Sequence, residues 1–160
     1  MANLSETTMA INGITKRGYQ GGSRFQNGDT LLARITPCLE NGKTAFVNLL
    51  EENEVAAGST EFIVMRGKTG VSPFWVYCLA KDESFRAYAI SSMVGSSGRQ
   101  RVHEKYLDEY ILPKIDNGTM LKFGKASKSF FEIVRIKSLE NQKLSDLKDL
   151  LLSKLATIEN

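Results

Sequence analysis

The stretch TLLARITPCLENGKTAFVNLL, residues 30–50, decides the fold class of this chain. Its two ends, residues 30–36 and 44–50, are short apolar and partly β-branched runs of the kind that form strands. Asn41-Gly42 lies between them and tolerates the positive φ of a hairpin turn, although this loop is longer than two residues. A third run, residues 61–66, follows a Gly-Ser-Thr turn sequence. The three runs predict an antiparallel β unit.

Short helices are predicted after these strands. Pro73 suits the first turn of one helix, with Ser72 as a possible cap, and Asp82 or Ser84 can begin a second helix. A final strand is predicted over residues 110–115, where a proline marks an edge or a strand end. The expected fold class is therefore α+β: a mixed, mainly antiparallel β domain with short helices, followed by a long C-terminal α-helix.

The terminal segment favours one long helix in which apolar residues recur at spacings of three and four. This leucine stripe consists of Leu144, Leu147, Leu151, Leu155 and Ile158. The stripe could pack on the chain's own domain, but we favour a partner helix from another chain, in a coiled coil whose register Asn141 or Gln142 would set. The chain is accordingly divided into a globular domain, residues 1–117, and a dimerisation or spacer helix, residues 118–160.

Positive charge is concentrated in one segment of a chain whose formal net charge is +3. Residues 1–113 hold 12 Lys or Arg and 12 Asp or Glu, whereas residues 114–137 hold six basic and two acidic residues. Such a basic segment can follow a phosphate backbone, but a solvated linker has the same composition. Both interpretations stay open at this point.

The composition is that of a soluble protein. No run approaches the roughly 18 consecutive apolar residues that a membrane span needs. The first ten residues are polar and include Glu6, where a signal peptide would have a basic start and an apolar stretch. We therefore expect a cytoplasmic protein without a membrane partner.

Residues suited to metal binding or covalent chemistry are few. Cys38, Cys78 and the single histidine, His103, are too widely spaced for a structural zinc site. One histidine also gives a serine or cysteine nucleophile a poor choice of base. The sequence GSSG, residues 95–98, lacks the Gly-Lys-Ser/Thr ending of a phosphate-binding loop. The sequence predicts no metal, no cofactor and no catalytic residue.

Three motifs in order along the chain resemble one known family. They are FQNGDTLLARITPCLENGK (residues 25–43), GSTEFIV (58–64) and SSMVGSSGRQRV (91–102). All three resemble the target recognition domain of type I restriction-modification specificity subunits. The tail ENQKLSDLKDLLLSKL, residues 140–155, resembles the helix that follows such a domain. The resemblance covers most of the chain.

The resemblance implies a DNA-reading protein without catalysis of its own. Family members carry two recognition domains joined by two long antiparallel helices, and each domain reads one half of a split DNA site. Methyltransferase subunits dock on them and connect them to the restriction subunit, and these other subunits carry the chemistry. A chain with one domain and one helix corresponds to half of this arrangement, and two copies could pair to read a palindromic site.

Compared with the family, two segments are short. Several dozen residues that usually precede the part matching residues 5–25 are missing, and the basic stretch before Ser138 is shorter. The recognition domain is therefore expected to be N-terminally short. This leaves an alternative function, a truncated specificity fragment that acts only in subunit assembly or inhibition and reads no DNA.

The turn after the GSSG sequence supplies the first candidates for DNA contacts, because arginine suits guanine edges or phosphates and glutamine suits adenine. The predicted DNA-binding residues are Arg99, Gln100, Arg101, Ser96, Ser97, Arg34, Lys43 and Lys105. In the alternative interpretation, Arg99 or Arg101 pairs with a carboxylate such as Glu104 or Asp108 and pins the loop.

Residues of a shared motif cannot encode different target sequences. Base reading is therefore expected from less recognisable loops, around residues 16–24 or 67–72. Glu61 and Glu40 are interpreted as structural partners of the arginines, and Trp75 and Tyr77 as core residues rather than base-stacking residues.

Overall fold

The computed structural model describes residues 2–11 and 13–158, with side chains up to residue 156. It has two small antiparallel sheets, three short helices and one long C-terminal helix, so the predicted α+β class is confirmed. The strands are β1 (Ser23–Phe25), β2 (Thr30–Ala33), β3 (Thr44–Phe46), β4 (Ala56–Gly58) and β5 (Phe62–Met65). The helices are α1 (Pro73–Lys81), α2 (Glu83–Ser91), α3 (Glu104–Leu107) and α4 (Asn117–Ile158).

The central sheet has the order β3-β2-β5, and all of its pairings are antiparallel. The three predicted runs form these three strands, although each strand is shorter than its run. β2 lies in the middle, and its four residues are all buried. Strands β1 and β4 form a separate pair that the sequence did not predict. Their three-residue length leaves no alternating pattern to detect.

Successive side chains of β2 point to opposite faces of the central sheet and enter two separate core clusters. On one face, Leu31 packs with Phe25 of β1 and with Phe62. On the other face, Leu32 packs with Phe85 of α2 and with Val102. The β1–β4 pair therefore covers one face of the sheet, and the helices cover the other.

The helix starts follow the capping residues, with one difference. Helix α1 begins at Pro73, as predicted, but the Ser72 side chain forms no cap hydrogen bond. A Cβ on Gly124 would lie 3.2 Å from the Ser72 hydroxyl oxygen. The start of α1 is therefore in close contact with α4. Asp82 caps α2 by accepting a 2.9 Å hydrogen bond from the Phe85 backbone N–H.

The prediction of a strand over residues 110–115 is wrong, because this segment pairs with no strand in the part of the chain that the structure describes. Tyr110 packs against Phe85, with ring centroids 5.1 Å apart, while Ile111 is 91% exposed. Pro113 has no N–H to donate to a sheet. Exposed apolar residues such as Ile111 also have no core at this position in which a strand would bury them. The segment is a connection to α4.

Helix α4 packs on the globular part only through its first turns. Phe131 contacts Phe46, Phe74 and Tyr77, with ring centroids 4.9, 4.5 and 5.5 Å away. Burial raises the pKa of Tyr77 to about 12, in agreement with its interpretation as a core residue. From residue 140 onward, every side chain that the structure describes is exposed. The leucine stripe therefore does not pack on the chain's own domain, and the side chain of its last member, Ile158, lies outside the described residues.

Candidate nucleic-acid interface

One end of the central sheet gathers the residues predicted to bind DNA. Because β2 is antiparallel to both neighbours, the place where it ends is also the place where β3 and β5 begin. Arg34 follows β2, Lys43 precedes β3 and Glu61 precedes β5. We call the end marked by these three residues the loop end of the sheet. The opposite end is marked by Asp29 and Arg66.

The predicted DNA-binding turn, residues 96–99, is built on a narrow hairpin. Val94 and Arg101 exchange backbone hydrogen bonds of 2.9 and 2.8 Å, and the Arg99 N–H donates to the Ser96 carbonyl at 3.0 Å. Gly98 supplies the positive φ of +77° that the turn requires. Ser96, Ser97 and Arg99 are therefore held at an exposed tip.

Hydrogen bonds fix this hairpin to the loop end. The Thr36 N–H donates to the Gln100 carbonyl at 3.1 Å, and the Gln100 N–H donates to the Thr36 hydroxyl oxygen at 3.2 Å. The Val102 N–H donates to the Arg34 carbonyl at 2.9 Å. The position of the turn is thus set by the chain that leaves β2.

Arg101 is held by a carboxylate rather than exposed as a free cation. Its Nε and Nη2 donate to both carboxylate oxygens of Glu61 at 2.8 to 3.0 Å. This hydrogen bonding lowers the pKa of Glu61 and raises that of Arg101. The interpretation of Glu61 as a structural partner is confirmed. Glu61, rather than Glu104 or Asp108, is the carboxylate that pairs with Arg101.

Arg34 is also engaged within the protein. Its Nε donates to the Val102 carbonyl at 3.1 Å, and its Nη1 lies 3.7 Å from the Glu104 carboxylate. Arg34 and Arg101 therefore tie the hairpin and the following residues to the sheet. A contact of either residue with DNA remains a prediction.

The remaining predicted residues keep their polar groups available. Within the described part of the chain, the side chains of Arg99, Gln100 and Lys43 have no hydrogen-bond or ion-pair partner. Lys105, on α3, lies with its Nζ 4.9 Å from the ring centroid of Tyr106 and forms no ion pair with any described residue. The structure thus brings all eight predicted residues to the loop end. Arg34 and Arg101 are engaged in contacts within the protein, whereas Arg99, Lys43 and Lys105 form no ion pair with a described residue.

Sequence reasoning missed the pair at the opposite end of the sheet. Asp29 is 1% exposed, and its carboxylate accepts hydrogen bonds of 2.6 and 2.7 Å from Arg66 and one of 2.8 Å from the Gln26 N–H. Asp29 directly precedes β2, and Arg66 directly follows β5. The pair can be predicted only when it is known that these two strands are antiparallel neighbours and in which register they pair. The pair links the start of β2 to the end of β5.

The described residues contain no cluster of three or more His, Cys, Asp or Glu side chains that could bind a metal ion. Burial raises the pKa of the Cys78 thiol.

Among the helices of residues 2–11 and 13–158, none combines the length and the apolar character that crossing a bilayer demands.

No protein family model matches the chain. Two curated proteins of Escherichia coli are similar to it. The type I restriction enzyme EcoEI specificity subunit is 31% identical over 137 residues, which cover 84% of this chain and 22% of that protein. The type I restriction enzyme EcoAI specificity subunit is 33% identical over 99 residues, which cover 61% of this chain and 16% of that protein. The family resemblance of the three motifs is thereby confirmed: the chain is a relative of the type I restriction enzyme specificity subunits, and it spans about a fifth of their length.

Proposed function

We propose that the chain is a sequence-specific DNA recognition unit of a type I restriction-modification enzyme, that it reads one half of a split site, and that it has no catalysis of its own. The observation that carries this proposal is the similarity of 84% of the chain to a protein named as a specificity subunit. A cytoplasmic location follows from such a role. The geometry of the loop end supports the same function.

The loop end has the chemistry of a duplex-binding surface. Arg99 projects from an exposed turn and, because it belongs to a motif shared with the family, suits a phosphate contact rather than base reading. Lys43 and Lys105 suit phosphate contacts, which position a protein on DNA without reading sequence. If three cations neutralise phosphates, log K should fall with log salt with a slope of about −3.

The leucine stripe supports a partner helix. Leu144 is 63% exposed and Leu147 is 51% exposed, so the stripe is an apolar face without cover within the chain. With about 3.6 residues per turn, this face lies on the opposite side of α4 from Phe131, which packs on the globular part. We propose that a second copy or a second specificity half pairs with this face and that methyltransferase subunits dock on the resulting assembly.

The test is DNA selection by the chain co-expressed with its methyltransferase subunits. The assembly is incubated with random-sequence duplexes, and the bound fraction is sequenced. The proposal predicts an enriched split motif, and it predicts that Arg99→Ala weakens binding to that motif while Lys148→Ala does not. Lys148 is the control because it lies on α4 outside the basic segment and pairs with Asp149 at 3.2 Å.

The alternative function, assembly or inhibition without DNA reading, predicts a different outcome. The same subunits would co-purify, but no sequence would be enriched at any salt concentration. An assembly that retains every random duplex equally would therefore contradict the proposal. Methylation or cleavage of DNA by the isolated chain would contradict the statement that it has no catalysis.

A further inference from the structure

We propose that the loop of residues 16–24 contacts DNA beside the 96–99 turn and that its Arg17 and Gln20 determine base specificity. The inference rests on the proposed function, because it names residues that would read the target. It also separates two loops that the sequence left as equal candidates, residues 16–24 and residues 67–72.

The loop of residues 16–24 reaches the loop end of the sheet. Its last residues enter β1, where the Ser23 hydroxyl donates to the Phe62 carbonyl at 3.0 Å. The residue before Phe62 is Glu61, the partner of Arg101. The loop and the 96–99 hairpin are therefore both attached to the Glu61-Phe62 pair at the start of β5.

The loop of residues 67–72 lies elsewhere. It leaves the opposite end of β5, after Arg66, whose guanidinium binds Asp29. A Cβ on Gly70 would be 3.9 Å from the Asn117 side-chain oxygen, and the Ser72 hydroxyl faces Gly124. This loop is thus packed beside the start of α4, away from the 96–99 turn.

The loop of residues 16–24 is anchored at its end, at Gly22, and such an anchor helps a base-reading loop to position its side chains. Gly22 has a φ of +103°, and a Cβ there would lie 1.8 Å from the Gly58 carbonyl oxygen, so the loop backbone is in direct contact with β4. The Tyr19 hydroxyl donates to the Gly22 carbonyl at 3.4 Å. The Arg24 guanidinium lies 5.8 Å from the centroid of the Tyr19 ring.

Tyr19 and Arg24 therefore shape the loop, whereas the side chains of Arg17 and Gln20 are exposed. In the part of the chain that the structure describes, neither of these two side chains has a hydrogen-bond or ion-pair partner. Residues 13–28 contain three cations and no acidic residue, so the loop favours the negative DNA surface. Arginine pairs with guanine and glutamine with adenine in the major groove, which gives both residues a base to read.

A cleft of about 950 Å³, too small to admit a DNA duplex, lies between this loop and β4 and shows the charge of the loop's inner side. Its lining includes Lys16, Arg17, Gln20 and Arg24, together with one acidic residue, Glu54. The Glu54 carboxylate already accepts a 3.0 Å hydrogen bond from the Glu51 N–H. The polar side of the cleft is therefore dominated by donors that suit phosphates and base edges.

The experiment compares Arg17→Ala and Gln20→Ala with the wild-type chain, each assembled with its methyltransferase subunits. Random-sequence duplexes are selected, and base preference is measured at every position of the bound site. Each variant is expected to lose about tenfold to a hundredfold of discrimination at one position and to keep the rest of the motif. Arg17→Lys keeps the charge but loses the two-pronged geometry, and it should relax the same position as Arg17→Ala.

Two controls are matched to these changes. Lys68→Ala removes a cation from the rejected loop, and Gln26→Ala removes an exposed glutamine near the opposite end of the sheet. Both should leave the motif unchanged. A motif that is also unchanged in Arg17→Ala and Gln20→Ala, or a uniform loss of affinity at all positions, would overturn the inference. A wild-type assembly that selects no motif would overturn the proposed function and this inference with it.

Discussion

Two arginines that stand two positions apart in the sequence have different surroundings. Arg101 donates to both oxygens of Glu61, whereas Arg99 lies at the exposed tip of the turn. At the scale of single residues, the loop end therefore contains cations that hold the structure and cations that remain available to a ligand. Their substitutions should have different consequences.

We expect Arg99→Ala and Arg101→Ala both to weaken DNA binding, but only Arg101→Ala to lower the stability of the fold. Loss of Arg101 leaves the Glu61 carboxylate without its main partner and releases the 96–99 turn. Thermal unfolding measured beside DNA affinity distinguishes the two effects. Equal melting temperatures for the two variants would contradict the role of Arg101.

The Glu61 carboxylate also predicts a pH dependence. Its hydrogen bond with Arg101 lowers its pKa below the usual value of 4.5. Because the pKa is lower in the folded state, the carboxylate stabilises the fold above the unfolded-state pKa, and this contribution is lost as pH falls through the folded-state pKa. Urea unfolding should show wild type more stable than Glu61→Gln at neutral pH, with the difference disappearing once Glu61 is protonated. A difference that stays constant down to acid pH would contradict this account.

Gly21 and Gly22 offer a matched test of how the loop of residues 16–24 is fixed. Both have a positive φ, +100° and +103°, so an alanine at either position costs about 1 to 3 kcal/mol of backbone strain. Only at Gly22 would the new Cβ meet another atom, the Gly58 carbonyl oxygen at 1.8 Å. Gly22→Ala should therefore reduce the free energy of unfolding clearly more than Gly21→Ala in chemical denaturation. Equal losses would mean that the loop does not depend on its contact with β4.

At the scale of elements, helix α4 has two faces that the sequence does not distinguish. Phe130 and Phe131 are adjacent, yet Phe131 lies in the aromatic cluster and Phe130 is 68% exposed. The periodicity predicted a long helix with a leucine stripe, and both are present. It did not show which turns pack on the globular part, because that depends on the positions of Phe46 and Phe74 in other elements.

We expect Phe131→Ala to lower the free energy of unfolding by about 2 kcal/mol, since it removes a half-buried ring from three aromatic neighbours. Phe130→Ala, its neighbour on the exposed side, should change stability little. Urea unfolding of the two variants measures the difference. The same loss in both would show that α4 does not pack through Phe131.

Local signals explain which elements were predictable. The hairpin of residues 30–50 and the helix beginning at Pro73 are specified by turn and capping residues within a few positions. The β1–β4 pair joins Ser23 to Gly58, far apart in sequence, without any alternating pattern. The Glu61–Arg101 pair likewise joins residues 40 positions apart. Both were predicted to form structural pairs, but nothing local distinguishes Glu61 from Glu104 as the partner.

At the scale of the whole molecule, the leucine stripe predicts association. Replacing both Leu147 and Leu151 with lysine places charge on the exposed apolar face without touching the core of the chain. We expect this double variant to lose its helix partner, which light scattering would record as a smaller assembly, while the fold remains intact by circular dichroism. Serine at Lys143 and Lys148, which lie in the same segment, provides the control. An unchanged assembly size in the double lysine variant would contradict the role of the stripe.

We propose that this chain selects the DNA sequence on which its partner subunits act. The most direct measurement is genome-wide mapping of methylated bases in a cell that carries the cognate methyltransferase, with and without the gene for this chain. We expect a methylated split motif that is present with the gene and lost without it. Identical methylation patterns in the two cells would contradict it.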